Sequence, residues 1–89
     1  MITWRTRPGF YKTAVQQFLK TGGKAPKGLK TVGRWHVPGS TLGWHLLEGD
    51  DSTALAEHVA EWADVLDLEV NPVIEDASAA EGASRIYGK

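Results

Sequence analysis

The stretch Val32–Glu48, VGRWHVPGSTLGWHLLE, sits inside two short runs, Thr31–Val37 and Leu42–Glu48, that flank Pro38-Gly39-Ser40-Thr41. Turn-forming residues between two runs of β-branched and aromatic side chains predict a β-hairpin. Each arm carries a Trp-His pair, Trp35-His36 and Trp44-His45. Neighbouring side chains of a strand point to opposite faces, so each pair sends an indole one way and an imidazole the other. Setting Val37 opposite Leu42 places Trp35 across from Trp44, Arg34 across from His45 and His36 across from Gly43. A one-residue slip would exchange the indoles for the imidazoles on any given face.

On the N-terminal side of the hairpin, Met1–Arg7 alternates, with Ile2, Trp4 and Thr6 on one face and Thr3, Arg5 and Arg7 on the other. That is the period of a strand, broken by Pro8-Gly9. From Phe10 to Thr21 the apolar residues Phe10, Tyr11, Ala14, Val15, Phe18 and Leu19 recur on one broad side of a helix, which Gly22-Gly23 ends. Gly22-Gly23-Lys24 lacks the glycine spacing, the following Ser/Thr and the preceding strand of a phosphate loop. On the C-terminal side, Asp51 or Ser52 is the expected N-cap of a second helix with Leu55, Val59, Trp62 and Leu66 as its apolar stripe. His58 falls at the edge of that stripe and reads as a half-buried structural histidine. Leu68–Ile74 predicts a fourth strand, placed at an edge by Pro72, which has no N–H to give a ladder. Residues 77–89 read as a tail with one short helical possibility over Asp76–Ala83. Strand, helix, strand, strand, helix, strand predicts one α+β domain over residues 1–76. Its expected form is ferredoxin-like βαββαβ, a four-stranded antiparallel sheet with two helices on one face.

The chain contains no cysteine, which excludes disulfides and thiolate chemistry. Its start, MITWRTRPG, has no apolar signal core, and no window approaches a membrane span, so a soluble cytoplasmic protein is expected. Net charge is −1, yet the charges are segregated: every residue before Glu48 is neutral or basic, and every carboxylate lies from Glu48 onward. The cations are spread over a strand, a helix and a loop without a stacking platform beside them, so nucleic acid is not an expected partner. Two oppositely charged halves that attract each other account for the pattern.

A four-stranded sheet with helices on one side leaves its other face open. Directing Trp4, Trp35, Trp44, Leu46 and Val70 toward the helices leaves Arg5, Arg34, His36, His45, Leu47, Glu69, Asn71 and Val73 on that open face. A second copy across a twofold axis is the economical cover. The segments Arg7-Pro8-Gly9, Gly33-Arg34-Trp35-His36, Leu46-Leu47-Glu48 with Asp50-Asp51, Trp62-Ala63-Asp64 and Glu69-Val70-Asn71-Pro72-Val73 resemble a small bacterial family classed as a domain of unknown function. The resemblance covers roughly residues 1–76. That family is similar to the dimeric α+β barrel superfamily, whose members pair sheet to sheet and include cofactor-free monooxygenases, isomerases, haem-degrading enzymes and proteins of no known activity. The resemblance implies a homodimer and carries no catalytic residue.

His36 and His45 are the chemical candidates, since imidazole can serve as general base or metal ligand. With Glu69 they could bind a metal only if separate strands converge, and no ligand spacing such as HxH or HExxH occurs, so neither metal nor haem is expected. Arg5, with Glu69 as its expected mate, and Arg34 would favour an anion in a closed cavity. The first reading is a homodimer binding a small organic ligand between its sheets through Arg5, Arg34, His36, His45, Glu69 and Asn71. One alternative is a cofactor-independent monooxygenase or isomerase with His45 or His36 as base. Another is an interaction module whose cavity is filled by side chains.

Overall fold

A computed structural model describes residues 1–88. Its element order is β1 (Ile2–Thr6), α1 (Tyr11–Thr21), β2 (Lys30–His36), β3 (Leu42–Glu48), α2 (Ser52–Trp62), β4 (Leu66–Val70) and α3 (Asp76–Tyr87). The four strands form one antiparallel sheet in the order β2-β3-β1-β4, the ferredoxin-like arrangement. Local chemistry sets the joints. Gly22 takes the left-handed conformation at φ 70° and donates its N–H to the Phe18 carbonyl at 2.7 Å, which closes α1. The Asp51 carboxylate accepts from the Ala54 N–H at 2.9 Å and opens α2.

Helix α2 stops at Trp62, and Val65 and Leu66 turn inward at 3% and 8% exposure, so β4 begins two residues earlier than the periodicity suggests. It also ends before Pro72. The last ladder-like bond is from the Asn71 N–H to the Met1 carbonyl at 2.9 Å, beyond which proline has nothing to donate. β4 is an edge strand, as expected. α3 runs past the predicted Ala83 to Tyr87 and buries none of its residues. Among the described residues no helix is long and apolar enough to cross a membrane.

The core lies between the sheet and α1 and α2: Ile2, Trp4, Ala14, Trp62, Val65 and Leu66, with Phe18, Leu47, Leu55, Val59 and Leu68 packed around them. The segregated charges interleave, because basic β1 lies beside acidic β4; Arg7 Nη2 meets Asp67 Oδ1 at 3.3 Å. Arg5 stands opposite Asp67 and Glu69 opposite Thr3, so the expected Arg5–Glu69 pair is not the one formed.

The hairpin pairs as read, with Arg34 opposite His45, Trp35 opposite Trp44 and His36 opposite Gly43. Its orientation against β1 is inverted. Ile2 pairs with His45 and Trp4 with Gly43, and directly opposed residues share a face. Arg34, His36 and His45 therefore lie on the helix side, and Trp35, Trp44, Leu42 and Leu46 lie on the open side with Arg5 and Glu69. The reason is steric. The Trp4 indole lies against Gly43, and a Cβ there would overlap the indole and crowd the Trp35 carbonyl. The central strand can carry so large a ring only opposite a residue with no side chain. A bulge at Val32 then returns Thr31 to the face of Leu47 and sets Gly33 opposite Leu46. On the open face the Trp35 ring folds back over Gly33, 2.5 Å from where a Cβ would be.

Candidate functional site

Turning the imidazoles inward places all three histidines of the chain around one cavity of about 260 Å³ between the sheet and its helices. The sheet supplies Ile2, Trp4, Arg34, His36, His45 and Leu68. Helix α1 supplies Ala14, Val15 and Phe18, and α2 supplies His58 and Trp62. Tyr11 and Leu19 line its rim and are 47% and 74% exposed, so α1 covers the sheet incompletely. No carboxylate lines the cavity.

Arg34 occupies one end of it. Its Nη1 donates to the Gly22 carbonyl at 3.2 Å, and its Nη2 donates to the Gly23 carbonyl and approaches His45 Nε2 at 3.3 Å. A guanidinium at the carbonyl end of α1 complements the helix dipole. The same group lies 5.6 Å from the Phe18 ring centroid. Gly23, at φ 59°, keeps room for it: a Cβ would stand 2.8 Å from Nη1. These contacts use three of the five guanidinium N–H donors. Among the described residues no carboxylate pairs with Arg34, and burial pushes its pKa below the ordinary value.

His45 is 3% exposed, and its Nε2 lies 2.9 Å from Thr31 Oγ1. Burial first, then the neighbouring charges of Arg34, His58 and the N-terminal amine, lower its pKa to about 4. The ring is therefore neutral near pH 7, and Nε2 accepts from the guanidinium, which can only donate. His58 packs edge-on against it, ring centroids 5.4 Å apart at 69°. Burial also lowers the His58 pKa, with Glu61 acting in the opposite sense. His58 is 4% exposed, and its Nδ1 is buried with no hydrogen-bond partner. An unmatched buried nitrogen costs about 1–3 kcal/mol. His36 stands at the mouth, exposed on one side, edge-on to Trp4 at 5.3 Å and Phe18 at 5.6 Å, with Ser40 Oγ 3.3 Å from its Nδ1.

The six residues expected to share one open face are thus divided. Arg34, His36 and His45 come together under the helices, Arg5 and Glu69 lie on the opposite face, and Asn71 follows β4, binding the Met1 amine through its carbonyl at 2.8 Å. The sequence reads His58 only as a stripe-edge residue. Its spacing held a stronger signal, because Ala54, His58 and Trp62 recur every four residues and are the three buried positions of α2.

The profile of the family described as a domain of unknown function (DUF3303) matches residues 1–87, and the chain belongs to that family. Neither the curated proteins nor the solved structures contain a match.

Proposed function

We propose, for this member of a family whose description names no activity, that the protein binds a small organic ligand in the cavity between its sheet and helices. The observation that carries this is the cavity itself. About 260 Å³ lies between sheet and helices in a cleft that opens past Tyr11 and Leu19, walled by Trp4, Phe18 and Trp62, with the His58 ring on its lining. Small-molecule sites are mainly apolar clefts with a few polar groups, and this volume falls just below the range of roughly 300–1,000 Å³ that holds drug-sized ligands. The ligand is accordingly small. Of the two candidate bases, His45 has Nε2 already engaged by Arg34 and Thr31, and His36 has Nδ1 beside Ser40 Oγ at 3.3 Å, so the geometry favours binding over proton transfer.

The site differs from the inter-sheet pocket expected from the sequence, but the pairing of two copies remains part of the proposal. The open sheet face carries Trp35 at 52% exposure with Trp44, Leu42 and Leu46, and both Arg5 and the carboxylates Asp67 and Glu69. Apolar area with charges of both signs on one face suits a self-complementary twofold contact, as in the dimeric α+β barrel superfamily.

The test of ligand binding is a heteronuclear NMR titration of the protein with a panel of small aromatic and aliphatic compounds, followed at the indole N–H signals. Shifts at Trp4 and Trp62 that vanish in Ala14→Leu, which fills the cavity from α1, are expected. A panel that moves neither indole refutes the reading. Sedimentation at tens of micromolar tests the pairing, which a monomer would refute.

A further inference from the structure

We infer that the ligand of this cavity is a monocarboxylate with a compact apolar body, its carboxylate held at the Arg34–His58 end and its body against Trp4, Phe18 and Trp62. The inference rests on the binding reading above and adds to it the class of ligand.

Three observations carry it. The cavity wall contains a guanidinium and no carboxylate, and among the described residues Arg34 has no ion pair elsewhere. A half-buried, hydrogen-bonded cation with no counter-charge is a place where an anion can be held. Second, Arg34 spends three donors on Gly22, Gly23 and His45, leaving two for a ligand. Carbonyls and a neighbouring ring hold the guanidinium in place before anything binds, which lowers the entropy cost of recognition. Third, His58 is more than nine-tenths buried, and its ring lines the same cavity. Nδ1 has almost no accessible surface, so a hydrogen bond to the ligand comes from the other ring nitrogen: with its proton on Nε2, a neutral imidazole donates one without adding charge. The polar end thus provides one charge and a few donors, which matches a carboxylate of charge −1 and not a phosphate dianion.

Size limits the body. About 260 Å³ in a cleft that opens past Tyr11 and Leu19 suits a compact body of about one ring. Flat rings on the wall favour a planar body. Benzoate is a probe of this size and kind, and benzamide is its neutral counterpart of the same shape.

The experiment is calorimetric titration of the full chain with each probe at pH 7, repeated in Arg34→Met and His58→Phe. Benzoate is expected to bind at least about tenfold more tightly than benzamide, in line with charge-assisted hydrogen bonds. The preference should collapse toward unity in Arg34→Met and fall several-fold in His58→Phe. If Arg34→Met loses its fold with the α1 cap, the wild-type ratio and His58→Phe still decide. Equal binding of the two probes, or a preference that both variants keep, overturns the carboxylate inference and leaves the ligand cavity standing. Binding of neither probe, together with an NMR panel that moves neither indole, overturns both.

Discussion

Acidification from about pH 7 to about pH 5 should destabilise this protein by an amount traceable to His45. In the folded chain the His45 pKa is lowered from an ordinary 6.5 to about 4. Unfolded chains therefore bind a proton there that folded chains do not, and stability rises with pH across that interval. The contribution is complete above the unfolded value near 6.5, is lost as pH falls below it, and levels off below the folded value of about 4. Each tenfold change in proton affinity is worth about 1.4 kcal/mol, so full titration amounts to about 3 kcal/mol and the step from about pH 7 to about pH 5 to about 2 kcal/mol. The groups around the ring explain why it resists charging: Arg34 and Thr31 from β2, His58 from α2 and the N-terminal amine ahead of β1, with no carboxylate on the cavity wall. The His58 pKa is lowered as well and adds in the same direction. Urea unfolding at fixed protein concentration across this range measures the slope. His45→Gln keeps an acceptor near the Nε2 position for Arg34 and removes the titration, so its slope should be markedly shallower. A wild-type stability constant across the interval, or an equal slope in His45→Gln, would refute the account.

Gly43→Ala should destabilise by about 2 kcal/mol or more, because the new methyl meets the Trp4 indole and the Trp35 carbonyl on a central strand; thermal unfolding measures it. Asp51→Ala should cost about 1 kcal/mol by removing the acceptor for the Ala54 N–H, and an unchanged midpoint would contradict the cap. His58→Phe should stabilise the ligand-free protein by about 1 kcal/mol, since it replaces an unpartnered buried nitrogen with a carbon and extends into open volume; a loss of stability would mean that the nitrogen is matched. If two copies pair as proposed, Trp35→Glu, which places a charge on the open sheet face, should leave a sedimenting monomer while circular dichroism stays unchanged.

The buried histidines run against packing alone in this layer. An interior built only for packing would place leucines at positions 45 and 58, both nearly inaccessible here. His45 and Arg34 are hydrogen-bonded, whereas the unpartnered Nδ1 of His58 lowers stability. Under the proposed ligand-binding reading, that cost belongs to a site prepared before its ligand arrives.

Much of this architecture could be read from local pattern. The two-residue alternation of Met1–Arg7, the i, i+4 spacing of α1, the glycine cap at Gly22 and the turn at Pro38-Gly39 are all consequences of near neighbours in the chain and stand where expected, whereas α2 buries Ala54, His58 and Trp62 and the Leu66 of its expected stripe belongs to β4. The pairing of Trp35 with Trp44 was legible as well, because a short turn sets the register of its own two arms. What local pattern could not determine is the face of the sheet to which the hairpin turns. Alternation assigns residues to two faces but does not say which face is inside, and β3 meets β1 only across a long excursion of the chain. That choice was made in three dimensions by the Trp4 indole, which needs Gly43 opposite it. The ring's demand for space sends His36, His45 and Arg34 inward, leaves Trp35 and Trp44 outward, and moves the candidate site from between two subunits to the interior of one.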